Sequence, residues 1–280
     1  MQNSKYIRIA EDLTTIKVEH DSRTTLRNTG EKESYLLLCS GSHSLELTIE
    51  KGADVTLIEA SDATPDFCYE IHLESGASLR HIRIDLTDKK TRYTLHQEKD
   101  SRYEMSLISL CGNQENLFTM HSEGEGTDTR MCGFTYGQAA YKVSNTIRLH
   151  HHKPHATSYQ AFKYVADDES RLSFDGKIIV ELNAQKIEAY QKNNNILISE
   201  KAHIASDPQL EIYADDVRCS HGSTIGQLDA DALFYMQSRG ISYKSACGML
   251  IRSFADEPLG IIKEDWLREQ IEDIIASMLK

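Results

Sequence analysis

Two segments of this chain, IEKGADVTLIEA at 49–60 and LESGASLRHIRI at 73–84, align without gaps at an offset of 24 residues. Glu50 matches Glu74, Gly52 matches Gly76, Ala53 matches Ala77 and Ile58 matches Ile82. Each copy is a charged turn followed by a short run of strand-forming residues. A unit this small cannot bury its own apolar face, so it must stack on a neighbour. ISEKAHIASDPQLEI at 198–212 reads as a third, fainter copy, with a small residue again following a charged turn. Other strand-length runs are VTLIEA (55–60), SLISL (106–110) and IIVEL (178–182). In IRIDL (82–86), Ile82, Ile84 and Leu86 alternate with Arg83 and Asp85, the period of a half-buried strand. Strand-rich rungs of this length predict a parallel β-helix; an antiparallel sandwich with chance similarity is the alternative. The Asn193–Asn195 run fits stacked amides along a solenoid, or equally a plain polar turn.

After residue 228 the period changes to that of helices. Asp229 is placed to cap a helix through DADALFYMQS, with Leu233 and Met236 on one face and Gly240 as its stop. Ser242 is placed to cap a second helix carrying Ala246, Met249, Leu250 and Phe254, and Pro258 and Gly260 are expected to break it. Leu267, Ile271, Ile274, Ile275 and Met278 follow at helical spacing. The expected organisation is therefore a β-helix core over 1–227 and a small helical domain over 228–280. Such a domain can cover the open end of the solenoid, where strand edges are unpaired, or serve as a docking surface.

Acidic residues outnumber basic ones, 43 to 31, for a formal charge of −12. That balance argues against nucleic acid as the main partner, because neutralising phosphates takes basic patches. No run of 18 apolar residues exists, so no membrane-spanning helix is expected. The opening MQNSKYIRIAEDL has no apolar core of a secretory signal. The six cysteines, Cys39, Cys68, Cys111, Cys132, Cys219 and Cys247, form no C-x-x-C pair. Free thiols in a reducing, cytoplasmic location are expected.

Chemistry concentrates in DDVRCSHGSTIGQLD, 215–229. If 217–221 is extended, Val217, Cys219 and His221 share one face, with Arg218 and Ser220 on the other. Thiolate and imidazole two residues apart can reach one metal ion or iron–sulfur cluster, and Arg218 is placed to favour the thiolate. Two ligands do not close a tetrahedral site, so further ligands must come from elsewhere, such as a partner chain. A buried cysteine beside a hydrogen-bonded histidine is the structural alternative. LHHHKPHATS (149–158) packs His150, His151, His152 and His155 together; it reads as a metal-binding tract or, more simply, as a polar strand end turning at Pro154. No G-x-S-x-G elbow and no phosphate-binding P-loop occur, so no nucleotide is expected to bind directly. Asp215 and Asp216, facing opposite ways on a strand, are better suited to a turn than to acid–base work.

Three ordered blocks, DGKIIVELNAQKIEAYQKNNNILIS (175–199), EIYADDVRCSHGSTIGQLD (211–229) and ALFYMQSRGIS (232–242), together with HHHKPHATSYQAFKYV (150–165), resemble the SufB/SufD family. The resemblance is strong over 145–260 and diffuse over the first 140 residues. It implies a right-handed parallel β-helix followed by a helical domain. It implies a scaffold subunit of iron–sulfur cluster assembly, not a catalyst, holding a transient cluster with a SufB-like partner and a SufC-like ABC ATPase. The family's ATPase-docking element would fall on 230–256, including Phe234, Tyr235, Arg239 and Gly240. SufB-type chains look like EHEATTSK where this chain has CSHGSTIG, and Ala202 of LISEKA stands where SufB-type chains carry a cysteine. Both differences resemble the SufD type. They imply that a partner supplies the missing thiol, with His221 the leading cluster ligand at the subunit interface and Cys219 in support. Typical SufD chains open with a helical domain, whereas strand-like sequence begins here almost at once; a minimal scaffold pairing with itself is the expectation this leaves open. A carbohydrate-active β-helix enzyme is the rival from another class.

Overall fold

A computed structural model describes residues 13–60 and 64–278; the opening segment discussed above for its lack of a secretory signal lies mostly outside the described residues. The strands run β1 (Thr14–Val18), β2 (Ser22–Leu26), β3 (Lys32–Cys39), β4 (His43–Ile49), β5 (Asp54–Ala60), β6 (Thr64–Leu73), β7 (Ser78–Asp85), β8 (Lys89–Gln97) and β9 (Arg102–Ser109). They continue as β10 (Gln114–Ser122), β11 (Asp128–Gly137), β12 (Lys142–His151), β13 (Thr157–Ala166), β14 (Arg171–Val180), β15 (Glu188–Leu197), β16 (His203–Ile212) and β17 (Arg218–Gly226). Three helices follow, α1 (Ala230–Ser238), α2 (Tyr243–Leu259) and α3 (Asp265–Met278).

Odd-numbered strands form one sheet and even-numbered strands a second, each strand pairing in parallel with the strand two further along. The result is a β-solenoid of about eight turns with the two sheets facing each other across its interior. The 24-residue repeat is the rung itself, since Asp54 pairs with Ser78 and Ile58 with Ile82. Its glycines occupy one turn position on successive rungs, Gly52 at φ 70° and Gly76 at φ 71°, where a side chain is strained. Its glutamates also have a structural cause. The Glu74 carboxylate accepts the Lys51 backbone N–H at 2.9 Å, and Glu50 and Glu98 do the same for Asn28 and Ser75. The segment at 198–212 is no third copy: it turns from β15 into β16, so it belongs to the opposite sheet. Asn193–Asn195 is strand, not turn. Asn193 and Asn195 point inward, and Asn194 bonds the Thr224 hydroxyl on the next rung.

The interior is filled by columns of side chains one rung apart. Tyr69, Tyr93 and Phe118 are in register and stack with centroids 4.1 and 5.0 Å apart. Fully burying one such side chain contributes about 1.5–3 kcal/mol. The half-buried reading of IRIDL needs correction. Ile82 to Asp85 are buried on both faces of β7, and the charges Arg83 and Asp85 are the ones that face inward. Arg83 bonds Asp85, Thr91 and Asn116, while Lys89 contacts both Glu59 and Asp85, so two cations balance two carboxylates in the interior.

Ile82 and Ile84 face outward, under the helices. They join Ile58, Ile108, Leu110 and Phe134 in one apolar cluster with Ile251, Leu259, Leu267, Ile271 and Ile275. The helices therefore lie along the outer face of the odd-numbered sheet and do not cover the end of the solenoid, contrary to one expected use. Their caps follow the sequence: the Asp229 side chain accepts from the N–H groups of Asp231 and Ala232, and the Ser242 hydroxyl from that of Ser245. Gly240 at φ 85° ends the first helix. Pro258 does not break α2, which continues to Leu259 before Gly260 ends it. Its ring is buried, and its carbonyl accepts the Ser106 hydroxyl at 2.9 Å, contacts that offset the lost helix hydrogen bond. Among the described residues no helix is long and apolar enough to cross a membrane.

Candidate functional site at the open end of the solenoid

Among the described residues no rung stacks on β16 and β17, the edge strands of the two sheets at the C-terminal end. Register with β15 shows which way β17 faces. Cys219 and His221 lie opposite the buried Ala189 and Gln191, so they belong to the inward row with Ser223 and Ile225. From β5 to β15 the matching row of each odd-numbered strand is buried. Here every residue of β17 except half-buried Cys219 is exposed, including His221. The expected pair is therefore on one face, at the mouth of the solenoid and not within a closed core. The Ser206 and Ser223 hydroxyls hydrogen-bond across that mouth at 2.7 Å.

Cys219 packs against the interior cluster, and burial pushes its thiol up, partly offset by a hydrogen bond from the Ala189 backbone. Arg218 does not activate it. Its guanidinium points outward, 3.4 Å from Glu188, as the alternation of the strand requires. Ala202 sits in the turn before β16, partly buried against the same core. Among the described residues no three His, Cys, Asp or Glu side chains converge on a metal position, so Cys219 and His221 are at most part of a shared site. All six cysteines are free.

The residues expected to dock an ATPase form a second exposed feature. Phe234 is 74% and Tyr235 60% exposed on α1, and only Leu233 of that helix is buried. The Arg239 guanidinium lies 5.2 Å from the centre of the Tyr235 ring.

The histidine tract does not form one cluster. His150 points outward from β12. His151 points inward, bonds the Ser158 hydroxyl at 3.0 Å, and has its basicity pushed down to about 4 by burial and by its two histidine neighbours. His155 occupies a turn at φ 63°. What sequence reading missed is that His150 continues a column. His72, His96, His121 and His150 are in register on consecutive rungs, with ring centroids 4.8, 5.3 and 5.1 Å apart. The rung period was the signal that could have found it.

The fold defines the class only as a parallel β-solenoid with a helical layer on one flank and an exposed last rung. Residues 39–254 match the family model for the SufBD core domain of SUF-system iron–sulfur cluster assembly. The chain belongs to the SufBD family of iron–sulfur cluster assembly proteins. It is 34% identical over 254 residues to the iron–sulfur cluster assembly SufBD family protein slr0076 of Synechocystis, covering 83% of this chain and 55% of that one. It is 29% identical over 240 residues to the iron–sulfur cluster assembly protein SufD of Escherichia coli, covering 82% and 56% respectively. The SufD protein of Bacillus subtilis is 22% identical over 284 residues, covering 99% of this chain and 63% of that one. The chain thus spans little more than half the length of the first two relatives.

Proposed function

We propose that this chain is a SufD-like scaffold subunit that works with a second solenoid subunit and a SufC-like ATPase, in a reducing, cytoplasm-like compartment where its six thiols stay free. The observation that carries the reading is the open mouth. His221 and Cys219 occupy the inward row of a rung that a neighbour would otherwise cover. Unpaired strand edges bind a second edge readily, and apolar Ile212, Tyr213 and Ile225 are exposed beside them. A SufB-like chain docked there would bring the thiol that this chain lacks at Ala202, and the cluster, as cargo, would be held between the subunits. Imidazole and thiolate both suit iron.

Exposed Phe234 and Tyr235 on α1 are the surface for the ATPase. Because α2 and α3 share a core with the odd-numbered sheet, force applied to the helices would reach the solenoid through packed side chains. The carbohydrate-enzyme alternative loses its ground to family membership. Self-pairing remains a second outcome, since the same edges serve a second copy. Co-expression with SufB-like and SufC-like chains tests the reading. A stable complex is expected whose cluster yield, followed by visible absorption after anaerobic reconstitution, falls on His221→Ala; an unchanged rate and yield would remove His221 from the site. Loss of the ATPase alone is expected from Phe234→Asp with Tyr235→Asp.

A further inference from the structure

Among the described residues the outer face of the even-numbered sheet carries no helix, and the imidazole column runs along it. His152, from the turn after β12, joins the column beside His121 and His150, with ring centroids 5.5 and 5.9 Å away. His121 Nδ1 lies 3.2 Å from His152 Nε2. Two nitrogens bound to one tetrahedral ion at 2.0–2.1 Å stand about 3.3 Å apart. His152 also presents its other nitrogen, Nδ1, toward Glu181 at 3.7 Å. That is an ion-pair distance and not a hydrogen bond; a carboxylate that orients a ligating imidazole would have to close by several tenths of an ångström.

Carboxylates flank the column throughout. Glu70 lies 3.7 Å from His72 and 3.4 Å from His96, and Glu123 lies 3.0 Å from His96. This surroundings attracts a cation and repels an anion. Among cations, imidazole donors favour borderline first-row ions over Mg2+ or Ca2+, which take oxygen ligands.

We propose that His121 and His152 form the nucleus of a binding site for a borderline divalent transition ion of the Co2+, Ni2+, Zn2+ or Fe2+ class. His150, with its ring centre 5.1 and 5.9 Å from theirs, is the neighbouring imidazole, and water fills the remaining positions. As the rings stand, one hydrogen bond joins them and no third donor converges on the pair. When the rings tilt toward solvent, the ion takes the place of the shared proton, which passes through water to the other nitrogen of the donor ring. His152, on a turn and with 32% of its side chain exposed, has room to do so.

The test uses the chelator-treated full chain and Co2+, read by equilibrium dialysis and ligand-field absorption. One Co2+ per chain is expected, displaced by Zn2+. The double variant His121→Gln, His152→Gln is expected to bind on the order of tenfold or more weakly, since losing ligands costs at least what losing their outer-sphere partners does. His72→Gln, in the same column but remote from the pair, is expected to bind like the parent. Circular dichroism checks that each variant is folded. Absence of saturable binding, equal affinity in the double variant, or thiolate charge-transfer absorption would each overturn the proposal, leaving the contact a hydrogen bond only. The measurement needs neither a partner chain nor cluster assembly, so it stands or falls apart from the scaffold reading.

Discussion

Glu59 illustrates how a buried charge is held in this interior. Burial pushes its carboxyl up, but Lys89, Arg83 and His81 outweigh that and hold it well below the usual carboxylate range. The Tyr93 hydroxyl donates to it at 2.6 Å. Removing one partner of such a set is costlier than removing the set, because the remaining ion stays desolvated. Glu59→Gln should destabilise the chain by about 3–5 kcal/mol in denaturant unfolding. Adding Lys89→Met should restore part of the loss; a single variant that unfolds like the parent would mean the cluster does not carry the charges drawn for it. Two buried groups of opposite chemical class, an imidazole and a carboxylate, contribute to the pH dependence. His151 is neutral when folded down to about 4, while the unfolded chain takes up that proton near 6.5. The unfolded state therefore binds more protons between those values, and stability falls by about 3 kcal/mol as pH drops through that window. The Glu59 contribution is intact above the unfolded carboxylate value and is lost as pH falls through its depressed folded value. Melting temperature followed from pH 7 downward should decline in the His151 window in the parent and much less in His151→Gln.

Among the elements, α3 shows most directly how sequence period becomes packing. Leu267, Ile271 and Ile275 recur every four residues and are all buried, whereas the intervening charges are not. They rest on outward-facing apolar residues of the odd-numbered sheet. Polar contacts pin the same layer. Lys163 lies 3.2 Å from Glu257 and 5.1 Å from the centre of the Phe254 ring, and Tyr159 donates to Glu257. Ile271→Ala should cost about 2–5 kcal/mol through the lost contacts and the cavity left behind. If the helices were a separately folding appendage, calorimetry would resolve two transitions and the solenoid's would not move. The shared core predicts one transition, displaced as a whole.

For the whole molecule, the two flanks differ. Among the described residues one sheet is covered by helices and the other is not, and β17 leaves its interior row exposed. On the proposed reading, the open β-edge flanked by exposed Ile212, Tyr213 and Ile225 is where a second solenoid docks. Charge placed there should abolish association without unfolding the chain, since these side chains are already in water. Ile212→Asp with Ile225→Asp is expected to shift the assembly to monomer in sedimentation velocity at unchanged melting temperature. Retained assembly would place the interface on another face.

Much of the architecture was legible because it is written in local chemistry. Gly52 and Gly76 mark a turn that needs positive φ, Glu50 and Glu74 bond the backbone of the rung before, and Asp229 and Ser242 cap helices through their own next turn. The repeat fades later because the same turn position is filled by Asp100, His155 and Lys186, which adopt positive φ without the glycine signature. Cys219 and His221 were correctly placed on one face, since alternation along a strand is also local. What depends on stacking was not legible. Whether Arg83 faces water or the interior, whether helices cover an end or a flank, and whether His72, His96, His121 and His150 meet are set by register between residues 24 to 29 positions apart. Alternation assigns side chains to two faces, but only the assembled rungs decide which face is inside, which is covered, and which is left to a partner.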